Sequence, residues 1–406
     1  MKKILLVVLF ISTLAHAQVT IEQTKHDNDI KLSTLPYYSF GKGIGITSPD
    51  SLFQFNIRFR MQNRVTYIEN EGENSAYDGQ IRRLRLRFDG YVGNPKFLYA
   101  IQLSFAPGDV GEIKEGENIN IIRDAVVFYR PNKHWNISFG QTKLPGNRQR
   151  VNSSGGLQLT DRTINNAKFT IDRDFGFQVH NMNEYKDKFS YNLKTAVSTG
   201  EGRNVTGKAD DGIAITGKIE LLPFGAFTKD GTYFEGDIMR EKKPKFLLSG
   251  AFQQNNHARR TGGQLGNDLY QQRTMKSVLL DAMFKYRGWA AMSSFMSRTT
   301  SKDAVTFNPT DITQSNYVFV GNGFDYQLSY NTRSNYEFIG RYSIQKVGKD
   351  IETKAPNTKE FSFGVTKYIW EHSFKLQSEI TLDKLDFYNG TSKENWYVRF
   401  QVEIGI

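Results

Sequence analysis

The stretch Trp396-Tyr397-Val398-Arg399-Phe400-Gln401-Val402-Glu403-Ile404-Gly405-Ile406 decides the fold. Every even position is apolar, and the odd positions carry Tyr, Arg, Gln, Glu and Gly. Side chains of a strand point alternately to opposite faces, so this period of two reads as a β-strand with one oily face and one wet face. The pattern recurs upstream. In 52–66, Phe53, Phe55, Ile57, Phe59, Met61 and Val65 share one face, and Gln54, Asn56, Arg58, Arg60, Gln62 and Arg64 share the other. In 81–92, Leu84, Leu86, Phe88 and Val92 oppose Arg83, Arg85, Arg87 and Asp89. Similar segments fall at 97–105, 135–141, 173–182, 189–199, 212–222, 246–255, 276–287, 289–299, 316–330, 335–346, 358–370, 373–385 and 395–406. The segment 122–130 is apolar on both parities, and its faces stay unassigned. With it the chain has about sixteen strands, each near the ~9–11 residues that a tilted strand needs to cross a bilayer.

The connections alternate in length. Gly93 to Lys96, Pro131 to His134, Asn183 to Lys188, Gly288, Asn331 to Ser334 and Glu371-His372 are short, and each follows an even-numbered strand. The others, at 67–80, 106–121, 142–172, 200–211, 256–275, 300–315 and 347–357, are longer. Short periplasmic turns and long external loops characterise outer-membrane barrels. One connection, 223–245, is long on the short-turn side and has no explanation at this level. Aromatic pairs flank several short turns: Tyr91 and Phe97, Tyr129 and Trp135, Tyr286 and Trp289, Tyr330 and Tyr336. Such rings suit an interfacial girdle.

These patterns predict an all-β, transmembrane antiparallel β-barrel of about sixteen strands, organised in three parts. Residues 1–17 read as a cleaved signal peptide: Met1-Lys2-Lys3, an apolar run Ile4–Leu14, and Ala15-His16-Ala17 before a mature start at Gln18. Residues 18–50 lack a strong period and read as a periplasmic lead-in, with Gly41 to Ile46 as a flexible entry rather than a phosphate loop. Residues 51–406 form the barrel. The expected location is the outer membrane of a Gram-negative bacterium. A mean hydropathy of -0.52 does not oppose this, because only alternate barrel residues touch lipid.

The 406 residues include no cysteine, which excludes thiolate metal sites, a cysteine nucleophile and disulfides. The six histidines are scattered, without HExxH or metal spacing, and no GxSxG elbow occurs. The sequence therefore points to no enzyme, no metal and no cofactor. The formal net charge is +11, and the chain stays basic after loss of Lys2 and Lys3. Export argues against nucleic acid as the partner, leaving small anions and the lipid of the outer membrane.

Arginine is the distinctive chemistry of the wet face. Strand one carries Arg58, Arg60 and Arg64, and strand two Arg83, Arg85 and Arg87. A simple hairpin would set Arg64 near Arg83 and Arg60 near Arg87. Like charges directly opposed across strands are destabilising, and water with mobile anions relieves them. The alternative is a wall paired internally to Asp89, Glu379 and Glu403. The connection 142–172 is the longest and carries Lys143, Arg148, Arg150 and Arg162 beside a pliable Asn152-Ser153-Ser154-Gly155-Gly156. A lumen of this size admits such a loop. Guanidinium groups offer paired donors in a fixed fork that suits phosphate and carboxylate. A unit charge at ~5 Å is worth only about 0.8 kcal/mol in bulk water, so several must act together.

The run Phe139-Gly140-Gln141-Thr142-Lys143-Leu144-Pro145-Gly146-Asn147-Arg148 resembles the strand-to-loop motif of the phosphate-selective porin O and P family. Arg82-Arg83-Leu84-Arg85-Leu86 resembles its doubled arginine at strand two, and Ser153-Ser154, Leu159 and Asp161-Arg162 its following loop. The version here is similar to Bacteroidetes-type members from about Leu52 onward. The resemblance implies a homotrimer of sixteen-stranded barrels whose third external loop folds into the pore. The expected function is a passive, water-filled channel for small anions such as phosphate. The expected pore lining is Arg58, Arg60, Arg64, Arg83, Arg85, Arg87, Lys143, Arg148, Arg150 and Arg162. The alternative is a structural or adhesive barrel with a plugged pore and partner-binding external loops.

Overall fold

The computed structural model describes residues 43–111, 120–205 and 211–406. The signal peptide and most of the lead-in lie outside these residues. Sixteen antiparallel strands close into a barrel. They are β1 (Phe53–Asn70), β2 (Ala76–Val92), β3 (Asn94–Ser104), β4 (Ile122–Tyr129), β5 (Trp135–Lys143), β6 (Arg173–Asn183), β7 (Ser190–Ser198) and β8 (Ala214–Leu222). There follow β9 (Lys245–Arg260), β10 (Asp268–Tyr286), β11 (Trp289–Thr300), β12 (Gly321–Asn331), β13 (Tyr336–Val347), β14 (Asn357–Trp370), β15 (Phe374–Asp386) and β16 (Ser392–Gly405). Each strand pairs with its neighbour in sequence, and β16 closes on β1 from Asn395↔Asn70 to Gly405↔Arg60. A short lead strand, Ile44–Thr47, pairs with the start of β1 from Ile44↔Ile57 to Thr47↔Gln54. It continues the line of β16, so one staff of the barrel is made from two distant segments.

The alternation sorts the faces as the pattern requires. In β16, Val398 and Phe400 are exposed to the outside, while Gln401 and Glu403 are fully buried on the lumen side. Rings gather at both rims. Phe97 stacks on Tyr129 at 5.0 Å and Trp289 meets Tyr330 at 4.8 Å at the short-turn end, while Tyr67 contacts Tyr77 and Trp396 at the other.

Three details differ from the sequence reading. The connections 67–80 and 256–275 are mostly strand, leaving only 71–75 and 261–267 as loop. Backbone ladders continue past the point where the apolar face ends, because their hydrogen bonds need no lipid-facing side chains. The strand placed at 316–330 begins at Gly321, and Ser315–Tyr317 instead pairs with Val305–Phe307 in a separate small hairpin. In β4, the second apolar parity is an inward cluster of Val126 and Phe128 on Leu98 and Ala100 of β3, which is why its faces could not be told apart.

Two connections enter the lumen. The third external loop, 144–172, folds inward as expected. Its base is apolar: Leu144, Phe169 and Ile171 pack with Leu279, Met296 and Phe319. Its course is then pinned by the wall, with Lys375 Nζ donating to the carbonyls of Gly155 (2.8 Å) and Leu157 (2.6 Å) and Arg298 to those of Lys168 and Thr170. The long connection 223–244 rises from the opposite end. A 3-10 turn at Thr228–Tyr233 carries Tyr233, Phe234, Glu235 and Asp237 into buried positions.

Candidate functional site: an arginine-lined passage

The hairpin β1–β2 sets the charged wall. Its register places Arg58 opposite Arg87, Arg60 opposite Arg85 and Gln62 opposite Arg83. This is a correction to the simple-hairpin pairing: the turn is centred within 71–75, with Ile68 opposite Ala76, rather than midway along 67–80. A bulge between Gln62 and Asn63 then leaves Arg82 as an extra residue on β2, which sets arginine opposite arginine. A bulge re-aims side chains, and here two successive arginines, Arg82 and Arg83, both reach inward.

The wall is organised in tiers, each holding a carboxylate. Nearest the short turns, Asp89 accepts from Arg58 and from Arg87 Nε at 2.8 Å. In the middle, Asp109 accepts from Arg85 (2.6 Å) and lies 2.9 Å from Arg123. Also at this level Arg60 donates to the hydroxyls of Ser153 (3.0 Å) and Ser154 (2.6 Å) of the inward loop. Toward the long loops, Asp161 of the inward loop is shared by Arg64 (3.2 Å), Arg82 (2.8 Å) and Arg83 (3.0 Å). Burial raises the Asp161 carboxyl, but Arg83, Arg82 and Arg64 outweigh it and hold the group well below the usual range. The same balance holds Asp109 down, against burial, through Arg85 and Arg123.

Between this wall and the inward loop lies a cavity of about 560 Å³. It runs from Asp161 and Tyr397 at the long-loop side to His372, Ser373 and Gly405 at the short-turn side. Thirteen basic side chains line it against six acidic ones, so its field is positive despite the internal pairs. Both sequence alternatives therefore hold in part: the arginines are paired, and an excess remains.

The expected lining residues divide as follows. Arg58, Arg60, Arg83, Arg85, Arg87, Lys143, Arg150 and Arg162 all border the cavity. Arg64 sits behind Asp161. Lys143 is turned into the loop base, donating to the carbonyls of Val151 (2.7 Å) and Asn152 (3.0 Å). Arg150 pairs with Asp172, and Arg162 donates to the carbonyls of Gln149 (2.6 Å) and Asn152. Arg148 lies away from this passage, donating to the carbonyls of Thr232 (3.2 Å) and Phe234 (2.5 Å). The sequence reading missed Arg82, Arg123, Arg173, Arg203 and Arg399 as lining residues. Arg399 was legible from the parity of β16. Arg123 was hidden by the apolar character of β4, and Arg203 by its place in a loop.

Comparison with known proteins follows this geometry. No curated protein matches the sequence. Among solved structures, the barrel is similar to the outer membrane channel DcaP of Acinetobacter baumannii, at 13% identity and TM-score 0.54, over 89% of this chain and 99% of that one. It is similar to an anion-selective porin from Comamonas acidovorans, at 11% identity and TM-score 0.52, over 87% and 100%. It is also similar to Salmonella typhi OmpF in complex with daunomycin, at 13% identity and TM-score 0.54, over 89% and 100%. At such identities the likeness is one of fold. The barrel thus has the architecture of an outer membrane channel and of an anion-selective porin. Residues 54–217, which contain the arginine wall and the whole inward loop, match the family described as phosphate-selective porin O and P.

Proposed function

We propose that this porin is a passive channel preferring small anions of the phosphate type. The observation that carries the reading is the positive excess along one continuous cavity, with Arg58 facing Arg87 and Arg60 facing Arg85 across the strands. Opposed guanidinium groups are unfavourable unless something negative lies near them; Asp89, Asp109 and Glu403 supply part of that, and the excess of cations around the cavity is left for mobile anions. Asp89, Asp109 and Asp161 are each shared by two or three of these cations and partly neutralise them, so binding to a transient anion stays weak enough for release. No turnover chemistry is involved. The proposed lining is that expected from the sequence, except that Arg148 acts as a brace, with Arg82, Arg123 and Arg399 added. As the resemblance implies, three such barrels associate; residues 1–17 are removed, and 18–50 are a lead-in whose Ile44–Thr47 joins the barrel wall.

The test is a reversal potential in planar bilayers under asymmetric potassium chloride. Chloride preference is expected. A conducting pore with cation preference would refute the anion assignment, and a silent barrel would favour the plugged, partner-binding alternative. Sequencing of the mature protein should begin at Gln18, and cross-linking should report trimers.

A further inference from the structure

The connection 223–244 has no role in the arginine passage. It is the one short-turn-side connection that is long, and it does not hang below the barrel. Its neck is closed by Glu241, which accepts from Thr228 N (2.6 Å) and Thr228 Oγ1 (2.9 Å), and by Phe227 packed on Leu222, Leu247 and Met283. Its tip stands inside the lumen. Lys285 on the inner face of β10 donates to the carbonyls of Gly231 (2.7 Å) and Phe234 (2.9 Å). Glu235 N donates to Gly156 O at 3.1 Å, and the Glu235 carboxylate accepts from Gln158 N at 2.9 Å. Gly156 is tightly covered, since a Cβ there would lie 2.9 Å from the Phe234 ring. The Phe234 ring in turn stacks on His372 at 5.0 Å.

We propose that this connection is a second constriction element, entering from the periplasmic end. It fills the half of the lumen opposite the arginine wall and locks tip to tip with the inward external loop. Solutes are thereby confined to the arginine-lined half. Phe234, Glu235 and Arg148 are its positioning residues: they touch no passing solute, and they set the width and charge of the path by closing the other one. They are tied both to the other insert and to the wall: Gln149 Nε2 donates to Glu235 at 3.2 Å, Gln327 Nε2 to the same carboxylate at 3.4 Å, and Phe234 rests on His372, which is how a rigid plug differs from a hanging turn.

This inference rests on the porin reading, and the experiment separates the two. Residues 224–243 are replaced by a four-residue Gly/Asn turn, and the variant is compared with the wild type in planar bilayers and in liposome swelling with neutral sugars. Opening the second half should roughly double single-channel conductance, as expected when an aqueous lumen gains cross-section. Larger sugars should enter, and chloride preference should fall because the new path bypasses the arginines. Should the replaced barrel fail to assemble, the double variant Phe234→Ala with Glu235→Gln keeps every strand and tests the same lock. It should raise open-channel noise and conductance in the same direction. A folded variant of either kind with the parent's conductance, sugar cut-off and selectivity overturns the inference while leaving the channel reading intact. A wild type that passes no current overturns both.

Discussion

The two halves of the lumen use the same residue types in opposite ways. Along β10, β11 and β15, inward cations meet backbone carbonyls of the inserts: Lys285 those of Gly231 and Phe234, Lys375 those of Gly155 and Leu157, Arg298 those of Lys168 and Thr170. Along β1 and β2, the inward cations meet carboxylates and one another beside a cavity. A cation capped by carbonyls serves packing, because the low-dielectric contact is used up within the protein. A cation facing a second cation across space retains a field for a mobile ion. The number of lumen charges therefore says little about a barrel's selectivity, and their partners say much more.

The largest effect that would break this comparison lies in the packed half. Lys375→Met removes donors from two buried carbonyls and leaves Glu403, 3.3 Å away, with less compensation. The expected loss is about 3–5 kcal/mol, as for other broken buried pairs, read as a shift in the urea refolding midpoint in detergent. A refolding curve identical to the parent's would show that carbonyl capping there is incidental.

Next comes the pin between halves. Asp161→Asn leaves Arg64, Arg82 and Arg83 without their shared carboxylate, and about 1–2 kcal/mol should be lost, since hydrogen bonds to charged groups are stronger than neutral ones. The loop should loosen, so trypsin should cut after Arg162 faster than in the parent. Unchanged proteolysis would mean that the apolar base alone holds the loop.

A smaller change in stability, but a clear one in selectivity, is expected in the open half. In Arg60→Gln with Arg85→Gln, Asp109 keeps Arg123 at 2.9 Å and Glu403 keeps Lys375 at 3.3 Å. The cost should stay near ~1 kcal/mol, while the chloride-to-potassium permeability ratio falls about twofold to threefold as part of the summed field is removed. A ratio equal to the parent's would move the selectivity elsewhere.

The smallest expected effect is that of pH. Asp161 and Asp109 are held below the usual carboxylate range. A depressed carboxylate contributes stability above its unfolded value, and that contribution fades only as pH falls through the folded value. Lowering the pH from about 8 to about 5 stays above the ordinary carboxylate value near 4, so both groups should remain charged throughout. A carboxyl resonance of Asp109 or Asp161 that titrates within that window would show that these carboxylates are not held by their arginines.

Much of this was legible in advance because lipid on one side and water on the other impose a strict parity on each strand. Val398, Phe400, Arg399 and Glu403 could be placed from their numbers alone. Register was not legible. It depended on where the turn falls within 67–80 and on the extra residue Arg82, neither of which the local pattern marks. The inserts were half legible. The inward loop followed a family motif, whereas 223–244 was only an anomaly of length. Its signal was present in Phe227, Tyr233 and Phe234, a density of rings that a solvated turn has no use for. Reading rings in a turn as buried would have predicted that it folds back into the barrel.

The staff shared by Ile44–Thr47 and β16 has a consequence for assembly. Backbone groups of β1 are claimed by residues of the distant β16 staff, as where Ile406 N donates to Phe59 O at 3.1 Å. Until that distant segment arrives, the upper edge of β1 is an open row of donors and acceptors, a template on which any stray strand can polymerise. The lead strand covers only the lower four pairings, from Gln54 to Ile57. The barrel therefore has a designated last joint. An escort protein, or the membrane itself, must shelter that joint during biogenesis, and mutations near Asn70 or Asn395 should harm delivery to the membrane more than the finished pore.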